Sequence, residues 1–365
     1  MLSVPERTGA LPDYTGRGVV MAFIDSGFYP HPDLQGRVIR HVNASTEAIT
    51  ESEKLPPASN FSWHGQMTSV IAAGDGRTSG GRYRGIASDA RLVLISVTNP
   101  RGQIKEPDIL RGMRWLLANH ARFGVRILNV SVGGDAPSDD QDHELHRAVR
   151  ELSEAGITVL VAAGNSGSGH LLPPASAPEA ITVGAYDDQN VLDVTRWRIY
   201  PNSYGLAHDG SLKPDIVAPG RWIASPILPG SDMARQATTL AALFDLAPND
   251  RRALRRNLAR GIFKLRLAPL AALRAHEPVR ALLQSRLDSY KLIDSHHQHV
   301  DGTSVSVAIA SSVVAQMLEA NRGLTPARIK AILTTTAKRL PEVPVECQGA
   351  GVLDAAEAVR MAKGN

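Results

Sequence analysis

Five short stretches of the chain, 19–24, 91–97, 125–130, 157–162 and 180–183, are almost uninterruptedly apolar and rich in Val, Ile and Leu. Such runs suit strands of a parallel sheet buried on both faces. Between them, apolar residues recur at helical spacing over 65–73, 109–120 and 145–155. Strands alternating with helices predict an α/β fold: a three-layer, doubly wound, mostly parallel sheet with helices on both faces. In such sheets chemistry sits beyond the carboxyl ends of the strands. Asp25 follows the first apolar run directly, and Asn165 follows the fourth within a short Gly-containing turn.

The pattern then changes. From 233 to 290 the chain becomes rich in Leu, Ala and Arg. Leu240, Leu243, Phe244 and Ala247 recur at helical intervals, as do Leu254, Leu258, Ile262 and Leu265, then Val279, Leu282, Leu283 and Leu287. Pro248, Pro269 and Pro278 punctuate these stretches. They predict a helical insertion, 233–290, dividing a catalytic domain made of 1–232 and 291–365. After 291 a strand-like stretch leads to Asp301-Gly302-Thr303-Ser304 and into a long helical pattern. Thr325-Pro326 has the form of an N-cap followed by proline at the first helical position.

With 365 residues, 43% of them hydrophobic and 21% charged, the chain can bury a sizeable core and carries no disordered bias. The formal net charge of +4 does not demand a polyanionic partner. No apolar run approaches the roughly 20 residues that span a bilayer. The first residues show no basic segment followed by an apolar stretch, and Cys347 is the single cysteine. These two features favour a reducing cytoplasm, a secreted mature form being the alternative.

Three segments carry candidate chemistry in a fixed order: VVMAFIDSGFYPHPDL around Asp25, SWHGQMTSVIAAG around His64, and DGTSVSVAIASSVVA around Ser304. A serine hydroxyl needs an adjacent base to become a nucleophile at neutral pH. Histidine, whose ordinary pKa lies near the working pH, is the natural base, and a carboxylate on its other nitrogen fixes the tautomer. Asp before His before Ser is one of the few chain orders in which this triad occurs. Singly, each residue has a plain structural use, as a turn former, a buried polar group or a helix cap. Jointly they point to nucleophilic catalysis.

The chain resembles the subtilases, the subtilisin-like serine proteases, and among them the intracellular type without a large prodomain. The resemblance rests on Asp25-Ser26-Gly27, the HPDL turn at His31 to Leu34, and His64-Gly65-Gln66, where the family usually has Thr at the third position. It extends to Ser131-Val132-Gly133-Gly134, Gly164-Asn165, and Gly302-Thr303-Ser304, which lacks the Met and Pro that usually follow. It implies that Asp25, His64 and Ser304 are the catalytic triad and that the Asn165 amide helps bind the oxyanion. Ser131, Val132 and Gly133 would edge the substrate cleft, and Ala162, Ala163 and Gly164 would line the first specificity pocket. The function expected is a serine endopeptidase acting through an acyl-enzyme. The alternatives are a regulatory or binding protein on the same fold, and a peptide ligase using the same acyl-enzyme.

No cofactor is expected. Many subtilases bind calcium through the Asp of HPDL, here Asp33, but the loop GDGRTSGGRYRG after the His helix is basic and offers few oxygen ligands. His296, His297 and His299 read as an alternating strand rather than a metal site. The insertion carries Arg251, Arg252, Arg255, Arg256, Arg260, Lys264, Arg266, Arg274, Arg280 and Arg286. These form either a solvated face or a docking surface for an acidic partner; no aromatic platform accompanies them to favour nucleic acid.

Overall fold

A computed structural model describes residues 1–169, 171–244 and 276–364. It falls into two compact units: Met1–Ile223 with Asp301–Asn365, and Ala224–Val300.

In the first unit a short helix, α1 (Val4–Thr8), precedes the central strand β1 (Val20–Asp25). There follow β2 (Val38–Asn43), β3 (Thr50–Ser52), α2 (Trp63–Ala73), β4 (Arg91–Ser96), α3 (Glu106–Phe123), β5 (Val125–Val130), α4 (Glu144–Glu154), β6 (Thr158–Ala162) and β7 (Ile181–Asp187). The short strands β8 (Arg198–Ile199), β9 (Gly205–Leu206) and β10 (Leu212–Lys213) lead to β11 (Ile216–Pro219). One sheet runs in the order β11-β7-β6-β5-β1-β4-β2-β3, with β8 beside β7. Pairing is parallel from β11 through to β2, and only β3 and β8 are antiparallel.

The register places the site. Ile24 lies beside Val130, and Val130 beside Val161, so Asp25, Ser131 and Ala162 come level at the carboxyl ends of three neighbouring strands. The chain leaves β1 toward β2 and β4 on one side and reaches β5 on the other, which makes β1 the topological switch point where a crevice opens. Strands β1, β4, β5 and β6 share one apolar core with α3 and α4.

The second unit takes over within β12 (Ile223–Pro226), at Ala224, and continues through α5 (Asp232–Phe244), α6 (His276–Ser289) and β13 (His297–Val300). β12 and β13 pair with each other, so the unit is wider than the 233–290 expected from composition: its entry and exit strands belong with the helices. Leu240 and Leu243 pack in one cluster with Leu283 and Leu287, in keeping with their helical spacing. Residues 245–275, with Leu254, Leu258, Ile262 and Leu265 and the basic positions from Arg251 to Arg274, lie outside the described residues, as does the Arg280 side chain. His297 is buried, and its Nδ1 lies 2.8 and 2.9 Å from the two carboxylate oxygens of Asp294. That acidic partner went unread in the sequence.

The chain re-enters the first unit at Asp301 and runs into α7 (Thr303–Ala320), α8 (Pro326–Thr336), α9 (Val345–Gln348) and α10 (Ala355–Lys363). Thr325 caps α8, its side chain accepting the Arg328 N–H, with Pro326 at the first position. By length and composition α7 could cross a membrane, yet 89% of it is buried inside the protein, as befits a core helix. It packs on α2, α10 and the strands β5, β6, β7 and β11. Two layers of helices thus cover the sheet, α3 and α4 on one face, α2 and α7 on the other.

Candidate active site

Asp25 ends a strand buried along its whole length and is itself 0% exposed. Such a carboxylate needs donors on both oxygens. Oδ1 takes the Ser26 N–H at 2.6 Å and lies 2.7 Å from His64 Nδ1; Oδ2 takes the Thr68 hydroxyl at 3.1 Å. His64 is in the first turn of α2, with its side chain 35% exposed. The negative charge of Asp25 holds the imidazole above its ordinary pKa of 6.5, against burial, which favours the neutral ring.

Gly65 lets the two elements meet. A Cβ there would stand 2.5 Å from Gly27 O and 2.9 Å from both Asp25 Cβ and Phe28 Cε1. The next residue, Gln66, departs from the usual threonine. It is 0% exposed, and its Oε1 accepts the Tyr29 N–H at 3.0 Å, tying α2 to the loop after β1.

Ser304 is the second residue of α7 and Asn165 follows β6 by three residues. They share a cavity of about 500 Å³ with Ser131, Val132, Gly133, Ala162, Ala163 and Gly164. The structure therefore gathers two groups: the hydrogen-bonded pair Asp25–His64, and this cavity with Ser304 on its wall. Ser304 Oγ lies 3.4 Å from Ser131 O. The Asn165 Oδ1 accepts both the Thr303 N–H at 2.9 Å and the Thr303 hydroxyl at 3.2 Å, which turns Nδ2 the other way. As a first-turn residue, Ser304 has a backbone N–H with no acceptor inside its own helix.

Several supporting contacts escaped the sequence reading, even where the residue itself, as with Thr303, stood inside a motif. Thr303, fully buried, also accepts the Gly164 N–H at 3.1 Å. Ser203 donates its N–H to Gly164 O at 2.9 Å, and its Oγ lies 2.7 Å from Ser166 Oγ. Asn129 on β5 donates to Ser131 Oγ at 2.9 Å and accepts from Ser311 on α7 at 3.1 Å. Glu106 receives the Asp135 N–H at 2.8 Å and so fixes the end of the 131–134 stretch. Ser306, in the turn after Ser304, donates to Ala218 O at 3.1 Å. Apart from Asn129 and Ser131, these partners lie far apart in sequence, and only the polar residue types beside the motifs hinted at them.

Asp33, the carboxylate that could have answered to calcium, is buried and already engaged. Oδ1 takes the Thr78 N–H at 2.8 Å and Oδ2 the Thr78 hydroxyl at 3.0 Å. Among the described residues no cluster of His, Cys, Asp and Glu is arranged to hold a metal ion.

The sequence profile of the subtilase family matches residues 16–351. The chain belongs to the subtilase family. It is 30% identical over 356 residues to the serine protease AprX of Bacillus subtilis, covering 94% of this chain and 67% of AprX. It is also 30% identical over 220 residues to an alkaline protease of Alkalihalobacillus alcalophilus, covering 60% of this chain and 50% of that protein. It thus spans only half to two thirds of these relatives. Fervidolysin from Fervidobacterium pennivorans superposes with a TM-score of 0.66 at 20% identity, over 97% of this chain and 45% of that one, a likeness of fold. Family membership makes this subtilase a serine peptidase, acting on peptide or protein substrates.

Proposed function

We propose that this subtilase is an endopeptidase working through an acyl-enzyme on Ser304, with His64 as general base and Asp25 as its orienting carboxylate. The observation that carries the reading is the 2.7 Å contact between His64 Nδ1 and a carboxylate closed off from solvent and held by two further donors. That contact puts the proton on Nδ1 and leaves Nε2 as the basic nitrogen. Nε2 takes the Ser304 hydroxyl proton as Oγ attacks the scissile carbonyl. The resulting imidazolium is stabilised by Asp25 and passes the proton to the leaving amine. Water then repeats the sequence on the acyl-enzyme.

The tetrahedral intermediate places negative charge on the former carbonyl oxygen. Asn165 Nδ2, turned away from Thr303, and the Ser304 N–H are the donors that would receive it. Ser131, Val132 and Gly133 offer an extended edge for the substrate backbone, and the cavity beside Ala162, Ala163 and Gly164 takes the side chain preceding the cut. The engagement of Asp33 with Thr78 leaves that carboxylate poorly suited to calcium.

The test is digestion of an unfolded protein substrate by the purified chain and by Ser304→Ala, with circular dichroism as the check on folding. The wild type is expected to cut within the substrate chain and the variant not to. Cutting by folded Ser304→Ala near the wild-type rate would remove Ser304 from the mechanism.

A further inference from the structure

Helix α2 reaches the Asp25 carboxylate from two successive turns. His64 and Thr68 are four residues apart and therefore share one face. The first touches Oδ1, at 2.7 Å, and the second Oδ2, at 3.1 Å. Both Asp25 and Thr68 are 0% exposed, so water cannot stand in for either partner. The Thr68 hydroxyl has one proton and two acceptors in reach, Asp25 Oδ2 and Gly65 O at 3.0 Å. A carboxylate oxygen and a hydroxyl oxygen 3.1 Å apart in a dry interior need a proton between them. The charged acceptor also forms the stronger bond. The proton therefore points at Asp25.

We propose that Thr68 is a positioning residue of the catalytic machinery, donating to the outer oxygen of Asp25 and setting how much of that carboxylate's charge falls on His64. The inference rests on reading Asp25–His64 as the base pair of the enzyme. Asp25 is the charged neighbour that acts on His64, so a change in its hydrogen bonding has a direct route to the imidazole. With the hydroxyl present, the charge is shared between two donors from the same helix and the carboxylate plane is held from both sides. With the hydroxyl gone, Oδ2 keeps its lone pairs and loses its donor. His64 must then compensate more of the charge, which stabilises the imidazolium. The carboxylate is also free to rotate about its Cβ–Cγ bond, so His64 is held less well. The first change makes neutral His64 a stronger base but leaves more of it protonated at a given pH; the second misplaces the imidazole and is the one that lowers kcat, and neither touches the substrate cavity.

Thr68→Val preserves shape and deletes the donor; Thr68→Ser restores the donor without the methyl group. The decisive readout is an NMR titration of the His64 ring in the Ser304→Ala background, which needs no peptide cleavage and so stands apart from the question of hydrolysis. Thr68→Val is expected to move the His64 midpoint upward by about 0.5–1 pH unit, and Thr68→Ser to return it to the parent value. In the active enzyme, Thr68→Val should lower kcat by roughly tenfold or more, the scale of a lost hydrogen bond to a charged group, with KM little changed and recovery in Thr68→Ser. If Thr68→Val does not fold, Thr68→Ala carries the same comparison. A midpoint unchanged or lowered in the donor-less variant, or one shifted equally in Thr68→Ser, would overturn the proposal and leave Thr68 as packing.

Discussion

Asn165 and Thr303 are joined through a single atom: the Asn165 Oδ1 accepts both the backbone N–H and the hydroxyl of Thr303, at 2.9 and 3.2 Å. An N–H needs an oxygen opposite it, so this contact fixes which way the amide faces. The same threonine hydroxyl accepts the Gly164 N–H. The first residue of the nucleophile helix thus sets the orientation of the amide on the neighbouring loop. Asn165→Ala should lower kcat by about 10²–10³ with KM little changed, because the lost donor acts mainly in the transition state; that magnitude is the one known for the equivalent loss in a subtilisin, carried over to this relative. Steady-state kinetics on a peptide substrate check this, and a change confined to KM would assign Asn165 to substrate binding instead.

The pH dependence follows from Asp25. His64 must be neutral to act as a base, and the carboxylate raises its pKa above the ordinary 6.5. The rise of kcat/KM with pH should therefore centre above that value. Asp25→Asn removes the attraction, so the limb should move to lower pH while kcat falls by about 10⁴, the scale seen when a triad carboxylate is neutralised. A rate profile flat from about pH 5 to 8, the range over which histidine ordinarily titrates, would count against His64 as the base.

Gly65 is a close-approach position. A methyl group there would meet the Gly27 carbonyl oxygen at 2.5 Å, and backbone cannot swing aside as a long side chain can. Gly65→Ala should push α2 away from β1 and lower kcat by about 10²-fold, the scale of an ångström-sized misplacement of a reacting group. The measurement is kcat alongside thermal unfolding. Wild-type turnover would mean that the contact relaxes without moving His64.

His41 on β2 is a buried neutral imidazole whose pKa desolvation depresses to about 4. The unfolded chain binds a proton near pH 6.5 that the folded chain refuses. Its contribution is complete above about pH 6.5 and is lost as pH falls from there toward 4, by up to about 3 kcal/mol. His41→Gln should flatten the stability curve over that window in urea titrations at several pH values. An unchanged slope would place the acid sensitivity elsewhere.

The central strands were legible because they are buried on both faces and so read as short apolar runs that end at a polar residue, as VMAFI does at Asp25. β2 was not, since VIRHVN lies toward the sheet edge and mixes Arg40 and His41 into its run. Asp25, His64, Asn165 and Ser304 stood out through local motifs. The contacts of Thr68, Asn129, Ser203 and Thr303 did not, because a hydroxyl or amide in a helix or loop declares its partner only when the chain folds back on itself. Gln66 shows the same limit: its departure from the family was visible, but its bond to the Tyr29 N–H was not.

Catalysis by this site requires Ser304 to be an activated nucleophile rather than one more hydroxyl at the start of a helix. Intact-protein and peptide mass spectrometry after treatment with a fluorophosphonate measures this directly. One adduct is expected, carried on the Ser304 peptide, absent from Ser304→Ala and formed far more slowly in His64→Ala. No adduct on the folded wild type, or an adduct on another serine that persists in Ser304→Ala, would contradict it.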